Sequence, residues 1–284
     1  MRKIADALFL FLLAVLIPAQ AEVTPGPPDP RVELGLAQVG AWREKAGDIH
    51  PAFAKNYPVA LVAGGQWRVF APEGEKGWAL AFQGPAKQAV PKGVRAAMPL
   101  PFWENRMACV VSPDAFDSAA EIVVVLHEFV HCYEWETVEA KLKEGMEVCR
   151  EAMARQDYMW ELQHPFPYGN AEVRRVYSLW QEELAQGRDA RAGHWRSMLR
   201  KGLNRHDWEY MTWQEWKEGL ARYLENQARR RFGLPPKLPA ADAPFDRVSF
   251  YRGGELFIAR LAAKEPGLDK DIERLYRRIL ASGG

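Results

Sequence analysis

The chain has 284 residues, of which 48% are hydrophobic and 26% are charged, enough apolar side chains for one large core or two smaller ones. Lysine and arginine together number 38 and aspartate and glutamate 37. This balance excludes an overall electrostatic attraction to nucleic acid or to an anionic membrane, so partners must be recognised at local sites.

The first residues have the pattern of a secretory signal peptide. Arg2 and Lys3 precede an apolar run from Ala7 to Ile17, and the small residues before Glu22 predict cleavage after Ala21. The run is shorter than the roughly 20 residues that a membrane-spanning helix needs. We therefore expect residues 1–21 to be removed and the mature protein to be secreted or periplasmic, without a stable membrane anchor. Residues 22–31 are rich in proline and predict a linker.

Residues 32–115 predict a small lobe that mixes one helix with several strands. Apolar positions from Val32 to Ala46 favour a short helix. Gly64 and Gly65 lie between two apolar runs, a spacing typical of a β-hairpin. The strand candidates are Val59–Val62, Trp67–Phe70, Trp78–Phe82 and Met107–Val111.

Residues 116–284 predict a helical lobe, because apolar positions recur there at intervals of three and four. Proline and glycine break this pattern at 165–169 and at 233–244. Trp213 and Trp216 are interpreted as core side chains. The expected fold class is α+β, predominantly α, with the small mixed sheet lobe and the helical lobe forming one domain over residues 32–284 and meeting at a cleft.

The segment from His127 to His131 reads His-Glu-Phe-Val-His and carries the strongest chemical signal. On a helix, imidazoles at i and i+4 project from one face, so both can bind the same metal ion. Glu128 lies about 100° around the helix from His127, where it can hold a water on that metal without being a ligand. The alternatives are a chance match and a structural histidine pair.

The residues before the histidines support a helix independently. Ser118 and Glu121 fit a capping box, and five apolar residues follow, Ile122 to Leu126. A polar His-Glu-His set directly after such a run would be costly to bury unless a metal ion pairs with it. The pattern therefore favours a metal site.

Zinc that keeps an open position for water needs a third protein ligand. The metzincin pattern would place a glycine and a third histidine soon after His131, and residues 132–136 read Cys-Tyr-Glu-Trp-Glu, which excludes that class. Cys109, Cys132 and Cys149 form no CxxC ligand pair. An oxidising compartment would permit one disulfide among them, and their spacing indicates no particular pairing.

A third ligand is suggested by residues 217–225, Lys-Glu-Gly-Leu-Ala-Arg-Tyr-Leu-Glu, where the chain resembles gluzincin-type zinc metallopeptidases. The resemblance implies a zincin-like fold with the active-site helix at the cleft. It also implies that Glu218 is the third ligand. Glu225 lies nearly on the same helical face and is our candidate to orient a ligating histidine. The alternative is that Glu215, Glu218 and Glu225 are ordinary solvated charges of a helix. The Tyr-Arg-Gly-Gly segment resembles the gluzincin segment whose tyrosine stabilises an oxyanion, which implies that role for Tyr251.

These observations predict an exported peptidase with Zn²⁺ as cofactor, Glu128 as general base and a peptide or protein as substrate. By analogy with zincins, the strand Met107–Val111 is expected to pair with an extended substrate. The alternative is a non-catalytic zinc-binding or scaffold protein that uses the metal to stabilise its fold. A basic stretch at 188–205 contains tryptophans, and we interpret it as a solvated helix face because the chain as a whole is near neutral, so no nucleic-acid partner is expected.

Overall fold

A computed structural model describes residues 29–74, 77–87, 90–240 and 243–284 of the chain. The predicted signal peptide and most of the predicted linker lie outside these residues. Over the described part, no helix combines the length and apolar character needed to cross a bilayer. The described chain divides into two compact units. We call the residues up to Trp135 together with Gln227–Pro235 the sheet unit, and Glu136–Asn226 together with Pro236–Gly284 the helical unit.

The fold is α+β and mostly helical, as predicted. The strands are β1 (Val59–Ala63), β2 (Gln66–Glu73), β3 (Gly77–Pro85), β4 (Arg95–Leu100) and β5 (Arg106–Val111). The helices are α1 (Pro30–Ala46), α2 (Ala119–Glu134), α3 (Ala140–Gly145), α4 (Glu147–Ala154), α5 (Trp160–Gln163), α6 (Ala171–Ala185), α7 (Asp189–Gly202), α8 (Arg205–Arg231), α9 (Ser249–Lys264) and α10 (Ile272–Leu280).

The sheet has the strand order β3-β2-β1-β5-β4 and is mixed. β1 pairs with β2 in antiparallel register, with Ala63 opposite Gln66, and with β5 in parallel register. The predicted hairpin is confirmed: Gly64 and Gly65 form its turn with φ of 58° and 71°. Positive φ at both central residues matches the right-handed strand twist and costs glycine little, which explains the Gly-Gly sequence.

The sequence pattern did not predict β4, an edge strand that contains Pro99 and pairs only with β5 among the described residues. Proline removes a backbone donor and is therefore tolerated at a sheet edge. The expectation that Met107–Val111 pairs with a substrate is wrong. Because β5 pairs with β1 on one side and with β4 on the other, its backbone groups are already used within the sheet.

α2 packs on β4 and β5, and α1 lies against both α2 and β3. The boundary between the sheet unit and the helical unit therefore falls at Trp135. The sequence pattern suggested a boundary between the two lobes at residue 115. Ser118 caps α2 by accepting a hydrogen bond from the backbone N–H of Glu121 at 3.3 Å. The Glu121 carboxylate does not complete the capping box and pairs instead with Arg95 of β4 at 3.1 Å. This ion pair joins the start of α2 to the sheet edge.

The helical unit has an aromatic core, and the predicted breaks at 165–169 and 233–240 lie outside its helices. Trp213 and Trp216 are fully buried, as predicted, with ring centroids 5.0 Å apart. The largest fully buried aromatic side chains of the unit are Trp160, Tyr177, Trp180, Trp208, Tyr210, Trp213, Trp216 and Phe250. Burial of such side chains supplies most of the stability of a helical core.

Within the helical unit, α8 and α9 approach each other closely at two glycines. A Cβ atom added to Gly219 would lie 2.6 Å from the Cα of Gly254, and one added to Gly254 would lie 2.0 Å from the carbonyl oxygen of Glu215. No side chain fits into either space, so both positions require glycine. We call this crossing the glycine contact. It brings the first turn of α9 next to the α8 segment that carries Glu218.

The basic stretch is not a uniformly solvated helix face, because Arg196 is only 2% exposed. Its guanidinium lies over the rings of Trp180 and Trp208, at 4.7 and 4.5 Å from their centroids. It also donates two hydrogen bonds to the Glu215 carboxylate, at 2.8 and 2.6 Å. Burial raises the pKa of Glu215, and the opposing Arg196 charge favours its ionised form. This pair is part of the core of the helical unit.

Candidate metal centre

The two histidines of the His-Glu-Phe-Val-His segment lie one turn apart on α2 and face each other. Both are buried, with 5% of His127 and 8% of His131 exposed. Their Nε2 atoms are 3.2 Å apart and their rings are nearly perpendicular, at 78°. The i, i+4 spacing therefore produces the predicted convergence of two imidazole nitrogens on one point.

Glu134 orients one member of this pair, and the sequence interpretation missed it. Its carboxylate is fully buried, and Oε2 lies 2.8 Å from Nδ1 of His131. An ionised carboxylate only accepts hydrogen bonds, so this contact favours the tautomer that has the proton on Nδ1 and the lone pair on Nε2. This is the tautomer that a metal ligand requires. The spacing from His131 to Glu134 is i, i+3 on a helix, a signal that was available in the sequence.

We expect Glu134→Gln to weaken zinc binding by about 10- to 100-fold, the usual cost of losing a carboxylate that supports a ligating histidine. An amide can present its NH₂ group to Nδ1 and so favour the other tautomer. Competition with a chromogenic chelator would measure the zinc affinity. Glu121→Gln is the control, because Glu121 lies on the same helix and pairs with Arg95. Equal zinc affinity in Glu134→Gln and wild type would contradict this role.

Glu128 is buried next to the histidine pair, with 5% of the residue exposed. Burial raises the pKa of the Cys109 thiol well above its usual value, and the negative charge of Glu128 adds to this effect. Cys109, Cys132 and Cys149 are all buried. Burial also raises the pKa of Cys149, to about 11. Neutral, buried thiols of this kind are inert packing groups.

Glu218, the predicted third ligand, is a partly buried residue of α8. Two imidazoles and one carboxylate form the donor set of many catalytic zinc sites. In the helical unit, Arg247 donates to Oε1 of Glu218 at 3.3 Å. The role of Glu218 as the third ligand stays a prediction.

The other two predicted site residues lie in the helical unit, Tyr251 on α9 and Glu225 on α8. Tyr251 is the third residue of α9, and its ring lies beneath the Arg247 guanidinium at 5.3 Å. Glu225 is fully buried in α8 and pairs with Arg222 at 3.1 Å. Their proposed roles, stabilising an oxyanion and orienting a histidine, stay predictions.

One buried and three half-buried charges hold the α8 turn that leads into Glu218. Glu139 and Glu161 alternate with Lys143 and Lys217, with N–O distances of 2.5 to 3.2 Å. Burial by itself would raise the pKa of each carboxyl group, and the two ammonium groups outweigh it, so both pKa values lie below their usual range. Lys217 directly precedes Glu218, so this network anchors the backbone beside the predicted ligand.

A second group of potential ligands lies wholly in the helical unit: Glu147, Glu151 and His206 offer atoms within 4.8 Å of one another. This group already has a cation, because the Arg205 guanidinium lies 2.5 Å from Glu147. Its side chains are also 32 to 44% exposed. Solvated groups that already have a positive partner gain little from a metal ion, so we favour the histidine pair on α2.

Comparison with known proteins identifies no relative. No protein-family model, no curated protein sequence and no solved structure matches this chain. The interpretation of the site therefore depends on its own geometry.

Proposed function

We propose that this protein is an exported zinc-dependent peptidase. The observation that carries the proposal is the pair of Nε2 atoms 3.2 Å apart on a buried helix, one of them held in the ligand tautomer by Glu134. A buried, closely spaced imidazole pair of this kind is costly without a cation to bind. We infer the peptidase activity and the zincin-like fold from the resemblance to gluzincins. We infer export from the predicted signal peptide.

The donor set fits zinc in its chemistry and spacing. Zinc binds imidazole nitrogen at about 2.0 to 2.1 Å in a tetrahedral arrangement, which places two such nitrogens about 3.3 Å apart. The observed separation of 3.2 Å agrees with this value. Glu218 is the third donor in our proposal. Three protein ligands leave one position for water, as in catalytic rather than structural sites.

Bound zinc would act as a Lewis acid, lowering the pKa of water from 15.7 to about 7 and polarising the substrate carbonyl. Glu128 would accept the proton of the attacking water and pass it to the leaving amine. The Tyr251 hydroxyl would donate a hydrogen bond to the developing oxyanion. Glu134 would keep the proton of His131 on Nδ1 throughout.

Metal analysis of the purified mature chain tests the proposal. We expect about one zinc per chain in wild type, and strong loss of zinc in Glu218→Ala, because two imidazoles alone bind zinc weakly. Glu151→Ala is the matched control, since Glu151 is a carboxylate of the second ligand group. It is expected to keep the full zinc content.

The outcomes separate the two groups of ligands. Loss of zinc in Glu151→Ala and not in Glu218→Ala would place the metal at the second group and overturn the site assignment. A pure wild-type preparation that takes up no zinc would overturn the proposed function itself.

A further inference from the structure

Arg247 contacts the predicted third ligand from the turn before α9 in the same unit, and no feature of the sequence assigns it a role. Its side chain is 28% exposed, and that of Glu218 is 16% exposed. The NH1 group of Arg247 donates to Oε1 of Glu218 and to Oε1 of Gln214, both at 3.3 Å. Gln214 and Glu218 are one turn apart on α8, so a single guanidinium nitrogen bridges two acceptors on one helical face.

The acceptor side of this contact is held in place. The Gln214 side chain is almost fully buried, and its NH₂ group donates to the backbone carbonyl of Glu161 at 2.9 Å. The amide must therefore direct Oε1 toward Arg247. Gln214 thus fixes where the guanidinium lies, independently of Glu218.

The donor side is held as well. The Asp246 carboxylate accepts from the backbone N–H of Val248 at 2.8 Å, and the Asp246 N–H donates to the Ser249 hydroxyl at 3.1 Å. These bonds build the turn that starts α9 and contains Arg247. The glycine contact holds α9 against α8 just after Glu218. The Tyr251 ring, 5.3 Å from the guanidinium, supports it from below.

We propose that Arg247 is a positioning residue that sets the orientation of the Glu218 carboxylate toward the metal. A guanidinium bound to one carboxylate oxygen fixes the plane of the carboxylate and opposes its binding a metal through both oxygens. An isolated ion pair between exposed groups would contribute little, whereas this one is part of a bridge whose two ends are both anchored. The inference rests on the proposed zinc site.

Substitution of Arg247 in the full mature chain tests the proposal through metal binding, without any need for a substrate. Arg247→Gln is expected to lower the zinc affinity by about 10- to 100-fold in chelator competition, the usual effect of losing a group that orients a ligand. It should also change the visible absorption spectrum of the cobalt-substituted protein, because that spectrum reports the coordination of the metal. Arg247→Lys keeps the charge and loses the planar donor group, so it should recover the affinity only in part.

Arg252→Gln is the matched control. Arg252 lies on α9, which begins just after Arg247; it is also 28% exposed and pairs with a different carboxylate, Glu255, at 2.7 Å. It should leave the zinc affinity and the cobalt spectrum unchanged. A purely structural role for Arg247 would leave both unchanged in Arg247→Gln and Arg247→Lys as well, and that result would overturn the inference. Since wild-type zinc binding is measured in the same experiment, failure of the zinc site and failure of the Arg247 role are distinguished.

Discussion

Glu128→Gln is expected to lower the rate of peptide-bond hydrolysis by about 100- to 10,000-fold, the usual contribution of a general base. The amide has nearly the same shape as the carboxylate and fits the same buried space, so the fold and the histidine pair should be retained. It cannot accept the proton of the attacking water. Cleavage of fluorescein-labelled casein, with zinc content measured in parallel, checks both statements.

The parallel measurement decides between three interpretations. Zinc retained with activity lost supports Glu128 as the base. Zinc retained with wild-type activity would show that the base is another group. A wild-type chain that binds zinc and cleaves neither casein nor a library of quenched fluorescent peptides would favour the alternative, a non-catalytic zinc-binding or scaffold protein.

Gly254→Ala is expected to destabilise the protein by about 3 kcal/mol, near the upper end of the range for overpacked cores. The new methyl group would lie 2.0 Å from the carbonyl oxygen of Glu215, and this neighbour is helix backbone that cannot rotate away. Helix propensity acts in the opposite direction, since alanine is favoured over glycine by about 1 kcal/mol in a helix interior. The collision outweighs this gain. Urea unfolding followed by circular dichroism measures the net effect.

Gly193→Ala is the matched control for this substitution. Gly193 lies within α7 of the same unit, and an added Cβ atom would meet nothing within 4 Å. Here only the backbone entropy changes, so alanine should stabilise the protein by roughly 0.4 to 1 kcal/mol. If Gly254→Ala behaved like Gly193→Ala, the close approach of α8 and α9 would be refuted.

Several elements could be predicted because their causes are local in sequence. Two glycines with positive φ specify the β1–β2 hairpin, and Ser118 caps α2 as its position indicated. The convergence of His127 and His131 follows directly from the rise and twist of a helix. The Glu134 contact has the same origin, an i, i+3 spacing on one helix.

β4 could not be predicted from the local sequence pattern, since Pro99 makes this edge strand resemble a break between secondary-structure elements. The roles of the α8 carboxylates were equally hidden. Glu215, Glu218 and Glu225 all fit a solvated helix face, yet Glu215 and Glu225 are fully buried beside arginines. Of their arginine partners, only Arg222, which pairs with Glu225, is close enough in sequence for the pairing to be predicted.

The mixed fold class, most individual elements and the imidazole pair could be predicted, because backbone geometry within one helix or hairpin places these residues. Support that comes from distant parts of the chain depends on tertiary packing. Arg247 lies 29 positions from Glu218. The two residues meet because the glycine contact holds α9, which begins just after Arg247, against α8. Such contacts depend on how closely two helices pack, which is set by the side chains of both and by the core beneath them.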